Sequence, residues 1–140
     1  MEATELRVNN LVHFSLSNIV RVKSINPHTC ICKAKYSRSG KDEFSDMISF
    51  SGDTASGNAP IESFWGIPLT EEILLKCRFK KKNGYKFVLH NSHFSLVMID
   101  SITREDYAFS HYNLWVNLEH VHQLQNLYFS LTGQELEVNL

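Results

Sequence analysis

The sequence predicts an α+β fold. A small N-terminal antiparallel β-barrel-like unit is followed by a short helix, then by an antiparallel β-meander with a C-terminal helix packed on it. Three observations predict it. Short runs of alternating apolar residues, separated by turn residues, recur through most of the 140-residue chain. One Asn-Gly pair, Asn83-Gly84, sits between two strand-like runs, which is the composition of a two-residue hairpin loop. Residues 117–133 carry the longest helix signal, and from His120 to Gln134 that stretch holds no Lys, Arg, Asp or Glu.

The elements follow in order. Residues 6–14 read as a first strand, with Leu6, Val8 and Val12 on one parity and a bulge or tight bend at Asn9-Asn10. Residues 19–25 form a second strand and residues 29–35 a third, separated by a turn at Asn26-Pro27-His28, where proline fixes φ and asparagine favours turn initiation. Residues 37–60 are rich in Ser and Gly, with one strand around Phe44, Ile48 and Phe50 and a mobile loop over 51–59. Residues 61–64 close this first unit as a strand, which places the division at 1–66 and 67–140, either as two lobes or as one compact domain.

Thr70 is placed to cap a helix of about two turns, with Glu71 and Glu72 at its positive end and Ile73, Leu74 and Cys77 as its apolar stripe. Residues 79–82 and 85–90 then pair across Asn83-Gly84. Further strands follow at 93–99, 107–110 and 114–118, with turns at Asn91-Ser92 and over the charged residues 101–106. The last helix ends at Gly133, a C-cap residue, and residues 135–140 read as a final short strand. Its apolar arc, from Val121 through Leu124, Leu127, Tyr128, Phe129 and Leu131, spans more than half the circumference and includes Gln125, so the helix is expected to be covered on most sides. The polar strip opposite holds Gln123, Asn126 and Ser130.

Composition narrows the function classes. A formal net charge of −1 argues against a general nucleic-acid binder, which is usually strongly basic. No run approaches the roughly 18 apolar residues of a membrane span. The polar N-terminus lacks a signal-peptide core, so a cytoplasmic protein with no membrane contact is expected. Three cysteines, an odd number, read as reduced thiols. Cys30-x-Cys32 fits neither a zinc knuckle nor a thioredoxin-type motif, and Cys77 belongs to a helix stripe.

Catalytic signals are weak. His90, His93, His111, His120 and His122 fall in the C-terminal half, and His90-x-x-His93 flanks a turn where two rings could converge on a metal. His120 and His122, two apart on a helix, are expected to point in different directions. No His-Glu-x-x-His or phosphate-binding Gly motif is present, and Ser51-Gly52 and Ser56-Gly57 lie in the loop. Asp100, Glu105 and Asp106 group at a turn and read as solvated. No cofactor is expected.

The basic cluster Arg78, Lys80, Lys81, Lys82 and Lys86 is the nucleic-acid candidate, with Tyr85 and Phe87 interleaved. Strand alternation allows only two or three of these charges to share a face, enough for weak, salt-sensitive binding. The plainer origin of such a cluster is a hairpin whose lysines block edge-to-edge pairing.

His122-Gln-Leu-Gln-Asn-Leu-Tyr-Phe-Ser-Leu-Thr-Gly-Gln-Glu-Leu136 resembles the C-terminal signature of a family of small proteins encoded by Bacteroidota and by their phages and mobile elements. Ile67-Pro-Leu-Thr-Glu-Glu-Ile-Leu-Leu-Lys-Cys77 and Leu6-Arg-Val-Asn-Asn-Leu-Val12 resemble the family's other characteristic stretches. The chain departs from it in having Asn9 or Asn10 where relatives have Gly, and in a longer Ser/Gly loop. The resemblance implies a phage or mobile-element setting and brings no catalytic residue with it. The leading expectation is a non-enzymatic binding or accessory protein. It would act through protein contacts on host or defence components, with self-association or a partner at Gln123, Asn126 and Ser130. The alternatives are a nucleic-acid-associated module using Arg78, Lys80, Lys82 and Lys86, and a small metal-dependent hydrolase using the histidines.

Overall fold

The computed structural model describes residues 3–15, 18–32, 43–89, 94–100, 105–111 and 114–140. For residues 3, 27–32, 43–46, 100, 105, 111 and 114 it describes the backbone alone. The chain is α+β and divides into two compact units, Met1–Ile67 and Pro68–Leu140.

The first unit is a five-stranded antiparallel sheet in the order β4-β3-β2-β1-β5. Its strands are β1 (Leu11–Phe14), β2 (Asn18–Cys32), β3 (Glu43–Ser51), β4 (Ser56–Pro60) and β5 (Phe64–Trp65). Asn9 adopts the left-handed region at φ 75°, so the expected bend falls on an asparagine, the residue type that tolerates it best after glycine. The buried Asn10 accepts the Arg7 amide at 2.7 Å through its side-chain oxygen, which holds the bend. Val12, Val20, Val22, Ile48, Phe50 and Phe64 make the core. Phe14 stands 4.3 Å from Phe50 and 5.3 Å from Phe64 between ring centroids, an aromatic cluster that fixes the inner face.

Three expectations are corrected in this unit. Asn26-Pro27-His28 is not a turn. It lies inside the single long strand β2, where the pairing with β3 shifts register between Asn26 and Cys30. A proline lacks the ladder donor, and a bulge is a place inside a strand where that donor is not required. Part of residues 51–59 is strand, not loop: β4 pairs with β3 from Ser51↔Ser56 to Met47↔Pro60, and Gly52 closes the hairpin by donating to the Ala55 carbonyl at 2.8 Å. Ile61–Ser63 is a 3-10 turn that delivers only Phe64 and Trp65 to β1.

The second unit opens with α1 (Glu71–Lys76), capped as expected by Thr70, whose hydroxyl accepts the Ile73 amide at 3.3 Å. A five-stranded antiparallel meander follows: β6 (Phe79–Lys82), β7 (Lys86–Leu89), β8 (Ser95–Asp100), β9 (Glu105–His111) and β10 (Leu114–Leu118). It ends in α2 (Val121–Thr132), with Gly133 at φ 70° as the C-cap. The expected turn over 101–106 is corrected at its end, since Glu105 and Asp106 belong to β9, where Asp100 faces Glu105; its remainder, 101–104, and the expected turn at 91–92 lie outside the described residues.

Strand alternation gives the meander one buried face. Phe79, Phe87, Leu96, Tyr107, Phe109 and Leu118 all point to it and are buried, together with Leu74 of α1, Cys77 at its C-terminal cap, and Val121 and Leu124 of α2; among the described strand residues of the opposite parity, the small Ala108 is also fully buried. Tyr128 of α2 meets Phe94 edge-on at 5.4 Å, which places the helix on this same side. The helix is less covered than its sequence implies. Its first half buries Val121, His122, Leu124 and Gln125, but Phe129 is 37% and Leu131 52% exposed. Residues 135–140 form no strand; Leu136 is buried instead as an anchor of an irregular tail.

Candidate nucleic-acid interface

The β6–β7 hairpin carries the most informative departure from the sequence reading. A two-residue Asn-Gly loop would pair Lys82 with Tyr85 and Lys81 with Lys86. In the structure Lys82 faces Lys86, Lys81 faces Phe87 and Lys80 faces Val88. The loop therefore has three residues, Asn83 at φ 53°, Gly84 at φ 76°, and Tyr85, whose carbonyl accepts the Met98 amide at 2.7 Å. One additional loop residue slides β7 by one position, and in a strand that moves every side chain to the opposite face. Phe87 goes to the core, and Lys86 joins Lys80 and Lys82 on the face away from it.

Ion pairing separates these three from the other cations nearby. Arg78, at φ 67°, pairs with Glu137 at 2.7 Å. Lys81 pairs with Glu71 at 2.6 Å and lies 5.7 Å above the Phe87 ring. Lys76 pairs with Glu72 at 2.9 Å. Among the described residues, no carboxylate pairs with Lys80, Lys82 or Lys86, all of which are exposed. Lys82 directly opposite Lys86 is a like-charge cross-strand pair, which disfavours the hairpin. An anion bound between them would relieve that repulsion. Of the four residues singled out from sequence, three converge here, and Arg78 is held elsewhere by Glu137.

The register continues the face across the sheet. Lys86 faces Val97, Val97 faces Ala108, and Ala108 faces Asn117. In the next row Val88 faces Ser95, and Ser110 faces Trp115. Neither row carries a negative charge, and Asp106 stands one row further along, opposite Ile99. Trp115 is 52% exposed, and its indole N–H donates to the Asn117 side-chain oxygen at 3.0 Å. The sequence by itself assigns no role to Trp115. The available signal was its strand parity, opposite to that of its apolar neighbours Leu114 and Val116, but its link to the lysines depends on the hairpin register.

The other expected site residues are engaged locally. The Gln123 side-chain oxygen accepts the amides of Glu119 at 2.8 Å and His120 at 3.1 Å, an N-terminal cap for α2. Ser130 donates to the Asn126 carbonyl at 2.8 Å, one turn back along the helix. His120 and His122 stack at 5.6 Å between ring centroids, contrary to the expected divergence, because His120 is the extended N-cap residue and not part of the helix. His90 and His93, and the side chains of His111, Cys30 and Cys32, lie outside what the structure describes. Among the described residues no group of three or more His, Cys, Asp or Glu is arranged to hold a metal ion, and no helix is long and apolar enough to cross a membrane.

A groove of about 320 Å³ lies in the second unit against Cys77, Arg78, Leu89, Tyr128, Leu136 and Glu137. Burial pushes the Cys77 thiol up to about 12, so it stays protonated at neutral pH and is a poor nucleophile there. Of the groove's three charged residues, Arg78 and Glu137 pair with each other at 2.7 Å, and Glu135 is the third. Comparison with protein-family models, curated proteins and solved structures gives no match to this chain.

Proposed function

We propose that this is a non-enzymatic binding protein whose second unit holds a nucleic-acid strand on the outer face of its meander. The supporting observation is selective neutralisation. Arg78, Lys81 and Lys76 each have a carboxylate partner, whereas the three lysines brought to one face by the hairpin register have none among the described residues. The net charge of −1 limits the affinity and makes it a local property of this face, not of the whole molecule.

A charge-matched comparison tests the reading. Lys82→Gln with Lys86→Gln should weaken oligonucleotide binding about tenfold at low salt, because two of three phosphate contacts are removed. Lys76→Gln with Lys81→Gln makes the same change in net charge but removes cations already neutralised, and should leave binding within about twofold. Equal losses in both doubles, measured by mobility shift, would reduce the effect to net charge and overturn the proposal.

A second reading, an accessory protein acting through protein contacts in a phage or mobile-element setting, draws on the exposed end of α2. Phe129 and Leu131 are apolar there, 37% and 52% exposed. Light scattering should then show self-association or a partner complex that Phe129→Asp with Leu131→Asp disrupts. A monomer whose mass and partners do not change on that substitution would remove this reading.

A further inference from the structure

We infer that the strand held on this face is single, and that Trp115 stacks one of its bases; this deepens the proposal above and rests on it. Three features on the same face point there. The first is its breadth. Five strands separated by about 4.8 Å place Trp115 roughly 14–19 Å from the lysine strands, and a surface that wide cannot enter a duplex major groove about 12 Å across, which admits one helix or a two-stranded ribbon. A flexible single strand can lie along it. The second is polarity. Cationic groups stand at the β6–β7 edge for phosphates, neutral residues fill the two rows between, and an aromatic ring stands at the β10 edge.

The third is the state of the indole. Trp115 has one hydrogen-bond donor, and Asn117 takes it at 3.0 Å. The bond ties two residues of the same strand face together and fixes the ring. What remains available on the exposed indole is its π surface, the group that stacks on any base without choosing among them. Binding of this kind tolerates sequence, depends on salt, and needs unpaired bases.

The experiment uses the full chain with Trp65→Phe, which leaves Trp115 as the sole tryptophan reporter. Oligo(dT) should quench its emission, while heparin, a polyanion without bases, should bind through the lysines without quenching. In the same background Trp115→Leu should weaken oligo(dT) binding about fivefold or more and leave heparin binding unchanged, and Trp115→Phe should retain most of it. Circular dichroism of both variants checks that the sheet is intact, as expected for a side chain on the outer face. Lysine-dependent binding of oligo(dT) and heparin alike, with no quenching and no effect of Trp115→Leu, would overturn the stacking inference and leave the polyanion reading standing. Binding of neither probe at low salt would remove both.

Discussion

Replacing Phe87 with Ala is expected to destabilise the second unit by about 3–5 kcal/mol, the usual cost of truncating a buried phenylalanine. Phe87 is fully buried and packs edge-to-face on Tyr107 at 5.7 Å, and Lys81 covers its ring from the hairpin edge. It is also the residue that locks the register. While Phe87 fills the core, Lys86 must face outward beside Lys82. The loss should therefore reach function as well as stability: denaturant unfolding followed by circular dichroism should show the drop, and oligonucleotide binding should fall although no lysine has changed. A variant of native stability would mean that the meander core is not closed by this ring. Net stabilities of domains are about 5–15 kcal/mol, so the expected loss is a large share of the whole.

The second large effect is expected in the first unit, at Gly52. A β-carbon added there would stand 2.6 Å from the Ile19 carbonyl oxygen and 3.0 Å from a Val20 methyl. The first of these is backbone in the paired strand β2 and cannot swing aside. Gly52→Ala should destabilise by about 1–3 kcal/mol, the range for forcing an extra carbon into a filled site. Gly57, at φ 151°, supplies the comparison: a β-carbon there meets nothing within 4 Å, so its substitution strains the backbone without a clash. If Gly52→Ala unfolds at the wild-type denaturant concentration, the turn is looser than its Gly52–Ala55 hydrogen bond indicates.

The sequence was legible where a local rule and a tertiary demand agree. Alternation placed Phe94 and Leu96 with their side chains buried, Thr70 capped α1, and Gly133 ended α2 in the left-handed region. A sequence is ambiguous where one residue type serves two geometries. Proline marks both turns and bulges, and nothing local distinguishes Pro27 in a bulged strand from Pro27 in a turn. Ser56-Gly-Asn-Ala-Pro60 has loop composition, yet an edge strand needs only one partner and few apolar side chains, and β3 supplies the partner. The candidate face was half legible. The lysines were visible, and so was the limit of two or three per face. Which three depended on whether the Asn-Gly loop has two residues or three, and the Met98 amide bonding to the Tyr85 carbonyl is a contact from a distant strand. The polar strip of α2 was visible as well, but the use of Gln123 as a cap depends on where the helix begins.

The salt dependence of oligo(dT) binding tests the central claim most directly, because it counts neutralised phosphates. With Lys80, Lys82 and Lys86 as the contacts, the logarithm of the affinity should fall with the logarithm of salt concentration at a slope of about −2, from about −0.7 per contact on a single strand. Neutralising Lys82 or Lys86 alone should reduce that slope by close to one contact's share. A slope near zero, or one unchanged by removing these lysines, would contradict the account.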